Sequence, residues 1–281
     1  MPVEPVHVAG AVLDIAVPAR SNRMAGISMA GFRGRASDRA ELPVVPYPAL
    51  TIFLDLGDAS FIDASGGVRR RGSAVIGLHP VGMRGSGRVI DLLQVRLSPV
   101  VAHEILGVPG DLGDSVVPLA DLWGGDAARI QERMHATASW DERFALAKSV
   151  LTRRAAAGRA VDPEVAFAWQ RIALSQGRIR VERLAAETGW SRKRLWSRFR
   201  SQVGLTPKRA AQLIRFDHAA HRLAGGHSPA TVAAEGGYTD QSHLYREVMS
   251  FAGLTPTAIA HAPWLEVDPV AWSAPEYAPR P

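Results

Sequence analysis

The sequence contains no cysteine. Disulfides, thiolate zinc sites and cysteine nucleophiles are therefore excluded, and so is a methyl-accepting repair protein, which needs an acceptor cysteine. Lysine is scarce: only Lys148, Lys193 and Lys208 occur, so the basic character rests on arginine. No apolar run approaches the ~18 residues of a membrane span. The opening residues, Met1 to Ala11, lack the basic-then-apolar layout of a secretory signal. A soluble, cytoplasmic protein with no membrane partner is expected. No Gly-rich phosphate loop of Walker type is present. His7, His79 and His103 are scattered, and His218 and His221, at i and i+3, supply two ligands where a metal site needs more. Ser65-Gly66-Gly67 lacks the flanks of a hydrolase nucleophile turn. Catalytic residues, cofactors and metals are expected to be none.

The 281 residues are 47% hydrophobic and 21% charged, enough for two domains with packed cores. The net charge is +6 and unevenly spread. Residues 163–262 hold 14 Lys and Arg against 7 Asp and Glu, leaving 19 against 20 elsewhere. A basic field confined to one segment suits a polyanion.

Residues 1 to about 120 read as β-rich. Apolar runs at Thr51–Gly57, Ser73–Leu78 and Val89–Leu97 are separated by Gly and Pro clusters, including Gly66-Gly67 and Gly82 to Gly87. The pattern then turns helical over Asp126–Thr137 and Asp141–Ala157, with Phe144, Ala147, Val150 and Leu151 on one face. Gly158 to Pro163 reads as a linker in which Asp162 and Pro163 start the next helix. Trp264 to Pro281 is Pro-rich and non-periodic, and reads as a loosely held tail.

The C-terminal part repeats itself. Leu184-Ala185-Ala186-Glu187-Thr188-Gly189-Trp190 recurs 48 residues on as Val232-Ala233-Ala234-Glu235-Gly236-Gly237-Tyr238. Gly204-Leu205-Thr206-Pro207 recurs 49 residues on as Gly253-Leu254-Thr255-Pro256. The slip of one residue places an extra residue in the second turn. Each unit reads as a short helix stopped by a glycine, then a helix opened by a capping side chain, Ser191 in the first and Thr239 or Asp240 in the second. Leu195, Phe199 and Val203, and in the second unit Leu244 and Val248, form inward faces. Lys193, Trp196, Ser197 and Arg200 share an outward stripe, matched by Ser242, Tyr245, Arg246 and Met249. Helix, turn and a helix with an outward polar stripe is the helix-turn-helix layout, whose second helix enters the major groove of double-stranded DNA. Arg246 has the strongest claim to a base, since guanidinium pairs bidentately with guanine. Thr206 to Gly226 reads as a joining helix with Leu213, Phe216, Ala220 and Leu223 on its apolar line, a spacer of ~26 Å at ~1.5 Å per residue.

These motifs resemble the AraC/XylS family of bacterial transcription regulators over about Ala168 to Ala262. Gly237-Tyr238-Thr239-Asp240-Gln241-Ser242, with Leu244 and Arg246, is similar to the family's most recognisable segment. The resemblance implies base contacts from Lys193, Trp196 and Ser197 in the first unit and from Gln241, Ser242 and Arg246 in the second. Together with Arg192, Arg200 and Tyr245 from the stripes and their flanks, these are the candidate DNA-binding residues. Val248 and Met249 depart from the family's usual Phe then Lys. Thr257 to Ala260 stand where the family often has an aromatic and Arg. The first unit's Arg192, Lys193, Arg194, Arg198 and Arg200 are thus expected to carry more of the affinity.

The expected fold class is α+β. A β-rich, cupin-like sandwich or barrel over 1–125 is followed by a helical segment for dimerisation at 126–160. An all-α domain over 161–262 then carries two helix-turn-helix units joined by a long helix, and 263–281 is the tail. By analogy of layout, the N-terminal domain senses a small-molecule effector or forms a homodimer. The alternative is an enzymatic N-terminal domain with accessory DNA-binding units.

Overall fold

The computed structural model describes residues 5–8, 10–62, 69–78, 82–107, 112 and 116–272. His79, Ser65-Gly66-Gly67 and residues 273–281 of the expected tail lie outside them. The N-terminal half contains β1 (Val6–Val8), β2 (Ala11–Ala16), β3 (Ile27–Pro43), β4 (Leu50–Asp55), β5 (Ser60–Ile62), β6 (Arg69–Arg71), β7 (Ala74–Ile76) and β8 (Arg84–Leu97). After α1 (Pro99–Leu106) come β9 (Val116–Pro118), α2 (Leu119–Trp123), α3 (Gly125–His135) and α4 (Trp140–Ala157). The C-terminal half is helical: α5 (Pro163–Leu174), α6 (Val181–Thr188), α7 (Arg192–Val203), α8 (Pro207–Ala224), α9 (Pro229–Glu235), α10 (Gln241–Ala252), α11 (Pro256–Ala260) and α12 (Pro263–Ala271).

The strands form one antiparallel sheet in the order β1-β2-β3-β8-β4-β7-β9, with β5 pairing β8 and β6. This is an antiparallel β-domain followed by a helical domain, as the sequence pattern implies. The three apolar runs become β4, β7 and β8, and apolar residues fall on both of their faces because the sheet is covered on both sides. On β4, Leu50, Ile52 and Leu54 join the core with the helices, while Thr51 and Phe53 face a cavity on the other side. On β8, Leu93, Val95 and Leu97 face the core, and Leu92, Gln94 and Arg96 face the cavity, as the two-residue strand period requires. Sequence periodicity missed α1, whose Pro99-Val100-Val101 reads as strand.

The helices at 125–135 and 140–157 match the expected segments. Their apolar lines are consumed inside the protomer: Phe144, Ala147, Val150 and Leu151 are all buried. Arg143 on α4 reaches the sheet and pairs with Asp91 at 2.6 and 3.3 Å. One hydrophobic core runs from the sheet through α1 into the helical half. Residues 158–162 form the expected connection and Asp162 and Pro163 start α5, but the connection is packed: Val161 is buried and a Cβ on Gly158 would fall 1.8 Å from the Glu104 carbonyl oxygen. One expectation needs correction here. The expected loose tail is a docked helix over 263–271. Pro263 sits in its first turn, where a missing N–H costs nothing, and Leu265, Val267 and Trp272 are buried.

Candidate nucleic-acid interface and adjoining cavity

Each repeat folds as its residues dictate. In the first unit α6 ends at Gly189 (φ +67°), and Ser191 caps α7 by accepting the Arg194 amide at 3.2 Å. In the second, Gly237 takes the same left-handed turn (φ +78°) as its counterpart Gly189, and the chain then carries one more residue before the cap. The cap is Asp240, accepting the His243 amide at 2.7 Å; Thr239 is the insertion. Leu195, Phe199, Val203, Leu244 and Val248 are all fully buried.

All nine sequence-predicted site residues are exposed. Arg192, Lys193, Trp196, Ser197 and Arg200 lie on α7, and Gln241, Ser242, Tyr245 and Arg246 on α10. Trp196 and Tyr245 are each 46% exposed, too much for core residues, which sets aside ordinary packing as their role. Lys193 and Arg246 make no side-chain hydrogen bond or ion pair among the described residues. Arg200 lies over the Trp196 ring at 5.3 Å. Arg198, counted above as a contributor to affinity, is instead held by Asp162 at 2.7 and 2.8 Å, which ties α7 to the start of α5. Arg171 and Arg183 clasp Glu187 on α6, and their hydrogen bonds hold its carboxyl down to about 2.

The joining helix α8 sets the relation between the units. Thr206 caps it, Pro207 opens it, and Leu213, Phe216, Ala220 and Leu223 are buried along it. It packs against α5, α7, α9, α10 and α11. Arg215 on α8 makes a bidentate pair with Glu247 on α10 and lies over the Tyr238 ring at 4.7 Å.

Residues 184–262 match a family model described as a helix-turn-helix domain. Over those residues the chain carries a helix-turn-helix domain of the AraC type, a DNA-binding module. Solved structures similar to this chain include ToxT from Vibrio cholerae O395, at 12% identity over 85% of this chain and 98% of that one (TM-score 0.48). ToxT has also been solved with an unsaturated fatty acid bound. Others are the C-terminal domain of AraT, a response regulator from Geobacillus stearothermophilus (22%, 36% and 85%, TM-score 0.34), and the AraC-like transcriptional activator CuxR (17%, 83% and 84%, TM-score 0.33). No curated protein sequence matches the chain. Among the described residues, no helix is long and apolar enough to cross a membrane, and no three His, Asp or Glu cluster as metal ligands.

The same joining helix walls a second site. A cavity of about 260 Å³ lies between the inner face of the sheet, α8 and α12. Its chamber is lined by Phe32, Phe53, Phe61 and Ile76, and its far wall by Phe216 and His221 of α8 and Asp268 and Trp272 of the α12 end. Sequence reasoning named no pocket residue. The available signal was Arg96, a charge beside Leu92 and Gln94 on the strand face opposite Leu93, Val95 and Leu97. His221 does not pair with His218. Its Nδ1 meets the Asp217 carbonyl at 2.8 Å and its Nε2 meets Asp268 at 3.1 Å. Burial opposes its charge, but the Asp268 hydrogen bond and the Asp217 carboxylate outweigh it and raise its pKa to about 9. Asp268 is shifted the other way: burial would raise it, and Arg96 and His221 together bring it below the usual range.

A group whose pKa rises on folding stabilises the fold fully below its unfolded pKa and loses that contribution as pH rises through its folded one. The melting temperature of the full chain should therefore exceed that of a His221→Gln variant most clearly below about pH 6.5. The gap should close by about pH 9. A gap that does not change with pH would refute the ion pair to Asp268.

Proposed function

We propose that this protein reads two successive major-groove segments with α7 and α10, and that a small-molecule effector in the cavity controls it. Base contacts are assigned to Lys193, Trp196, Ser197, Gln241, Ser242 and Arg246, with Arg192, Arg200 and Tyr245 on the flanking backbone. The observation that carries the reading is α8: one rigid helix holds both recognition units in phase and also forms a wall of the cavity. Occupancy of the cavity can thereby reach both units. The role needs no catalytic group, and the setting is the cytoplasm.

The test is DNA binding by the full chain. Affinity should fall steeply with salt as Lys and Arg release phosphate counterions. Arg200→Ala should weaken binding evenly across sequences. Arg246→Ala should cost ~1–3 kcal/mol chiefly on the specific site. A log-affinity slope near zero against log salt, or equal losses from Arg246→Ala on random and specific DNA, would sink the assignment.

We also propose a homodimer built through the N-terminal half. Since α4 spends its apolar line internally, the contact falls on outer faces such as the edge strand β1. Sedimentation of the full chain as a monomer at micromolar concentration would rule this out.

A further inference from the structure

The Arg96 guanidinium is the most unusual group in the cavity. Tyr47 covers one side at 3.9 Å from ring centroid to Cζ, and Trp272 stacks at 4.0 Å. With aromatic rings on its faces, the group can bind only along its in-plane edges. Nη2 donates to Asp268 at 3.1 Å, while Nε and Nη1 are buried and meet no acceptor among the described residues. Buried donors on a permanent cation are costly to leave unpaired, and where a fold keeps them they call for a missing acceptor. The chamber beyond is walled largely by Phe32, Phe53 and Phe61, with Thr51 and Gln94 among its few polar side chains.

Resting on the effector reading above, we infer that the cavity takes an apolar carboxylic acid. Its hydrocarbon body fills the chamber, and its carboxylate competes with Asp268 for the in-plane edge of Arg96, whose Nε and Nη1 stay covered by protein until the wall carrying Asp268 and Trp272 gives way. The local charges explain why competition is built in. Arg96 and His221 already balance Asp268 and Asp217, so an added anion leaves the site with one carboxylate too many. The carboxylate that already holds the guanidinium is Asp268, which sits on a helix of nine residues. As the ligand takes over the guanidinium, Asp268 loosens, and with it the α12 wall and its bond to His221 on α8. The two positions that register the ligand are thus the lid of the cavity and the helix that phases the two DNA-reading units.

Calorimetric titration of the full chain with octanoate and 4-phenylbutanoate, each beside its methyl ester, tests this. A charge-assisted hydrogen bond contributes about 1.5–3 kcal/mol, so the acids should bind roughly ten- to a hundredfold tighter than their esters at neutral pH. Arg96→Gln should erase that preference while keeping ester affinity, which also certifies the fold of the variant. Asp268→Asn should tighten the acids severalfold and leave the esters unchanged. Acids and esters binding alike in the unaltered protein would overturn the carboxylate assignment and leave the cavity reading standing. Failure of all four probes to bind either the unaltered protein or Asp268→Asn would overturn the cavity reading itself.

Discussion

Inserting two residues after His218 is expected to abolish protection of one of the two DNA segments while leaving the other weakly covered. The α-helix advances 100° and ~1.5 Å per residue, so the insertion turns everything beyond it by ~200° and shifts it by ~3 Å. Leu213 and Phe216 stay in place, but Ala220 and Leu223, buried on the same apolar line, are swung toward solvent. The α9–α10 unit follows them. Successive major-groove segments on one side of the duplex lie ~34–36 Å apart. The 18 residues of α8 span only ~27 Å, so the offsets of α7 and α10 or a bend in the DNA must close the gap. Such an arrangement tolerates little rotation. A four-residue insertion serves as the companion, because it turns the second unit by ~400° and so returns the apolar line to within ~40° of its place. It should keep the melting behaviour of the unaltered protein better than the two-residue variant does. Nuclease footprints on the specific site decide the matter: two protected segments about one helical turn apart in the unaltered protein, one in the two-residue variant. An unchanged footprint in that variant would mean that α8 does not set the phase.

The helical half was legible because its information is local and repeated. The glycine stops, the Ser191 cap and the Thr-Pro openings of α8 and α11 each act within one turn, and the 48- and 49-residue offsets align one unit on the other. Even the extra turn residue could be counted, although choosing Asp240 over Thr239 as the cap needed the backbone. The sheet was legible only as runs. That Leu93 and Val95 face the helices while Gln94 and Arg96 face the cavity depends on what covers each side of β8, which no periodicity in a doubly buried strand reveals. Three features were hidden for other reasons. The α1 residues carry strand-like β-branching. The α12 segment has Pro263 and Pro269, which read as breakers, yet one opens the helix and the other falls near its end. The Arg96–Asp268–His221 chain joins strand, tail and joining helix across 172 positions, and such a non-local meeting leaves no mark on neighbouring residues. Arg198 shows the same limit from the other side: its basic neighbours suggested DNA, and nothing near it in the chain announced its partner Asp162, 36 positions away.

Replacing Glu247 by alanine is expected to lower the stability of the protein by about 3–5 kcal/mol, the usual consequence of removing one partner from a buried ion pair. The Glu247 side chain is 3% exposed and that of Arg215 14%. Burial opposes the charge on Arg215, and the bidentate carboxylate outweighs it, holding the guanidinium's pKa above its ordinary value. Without Glu247 the cation stays beneath α10 with the Tyr238 ring and no counter-charge. Neither side chain points toward the exposed stripe of Ser242, Tyr245 and Arg246, yet both fix how that stripe is carried on α8. Loss of the pair should therefore lower the melting temperature on the order of 10 °C and weaken binding at the second DNA segment more than at the first. The decisive companion is the double variant Arg215→Met, Glu247→Leu. Apolar groups of similar size remove both desolvation penalties at once, and such replacements are often neutral or better. Most of the lost stability and second-segment affinity should return. If the double variant is as unstable as Glu247→Ala, the pair is not what holds α10 to α8. If Glu247→Ala costs less than about 1 kcal/mol, the pair is as weak as an exposed one, and the second recognition helix owes its position to Leu244, Val248 and Phe251 alone.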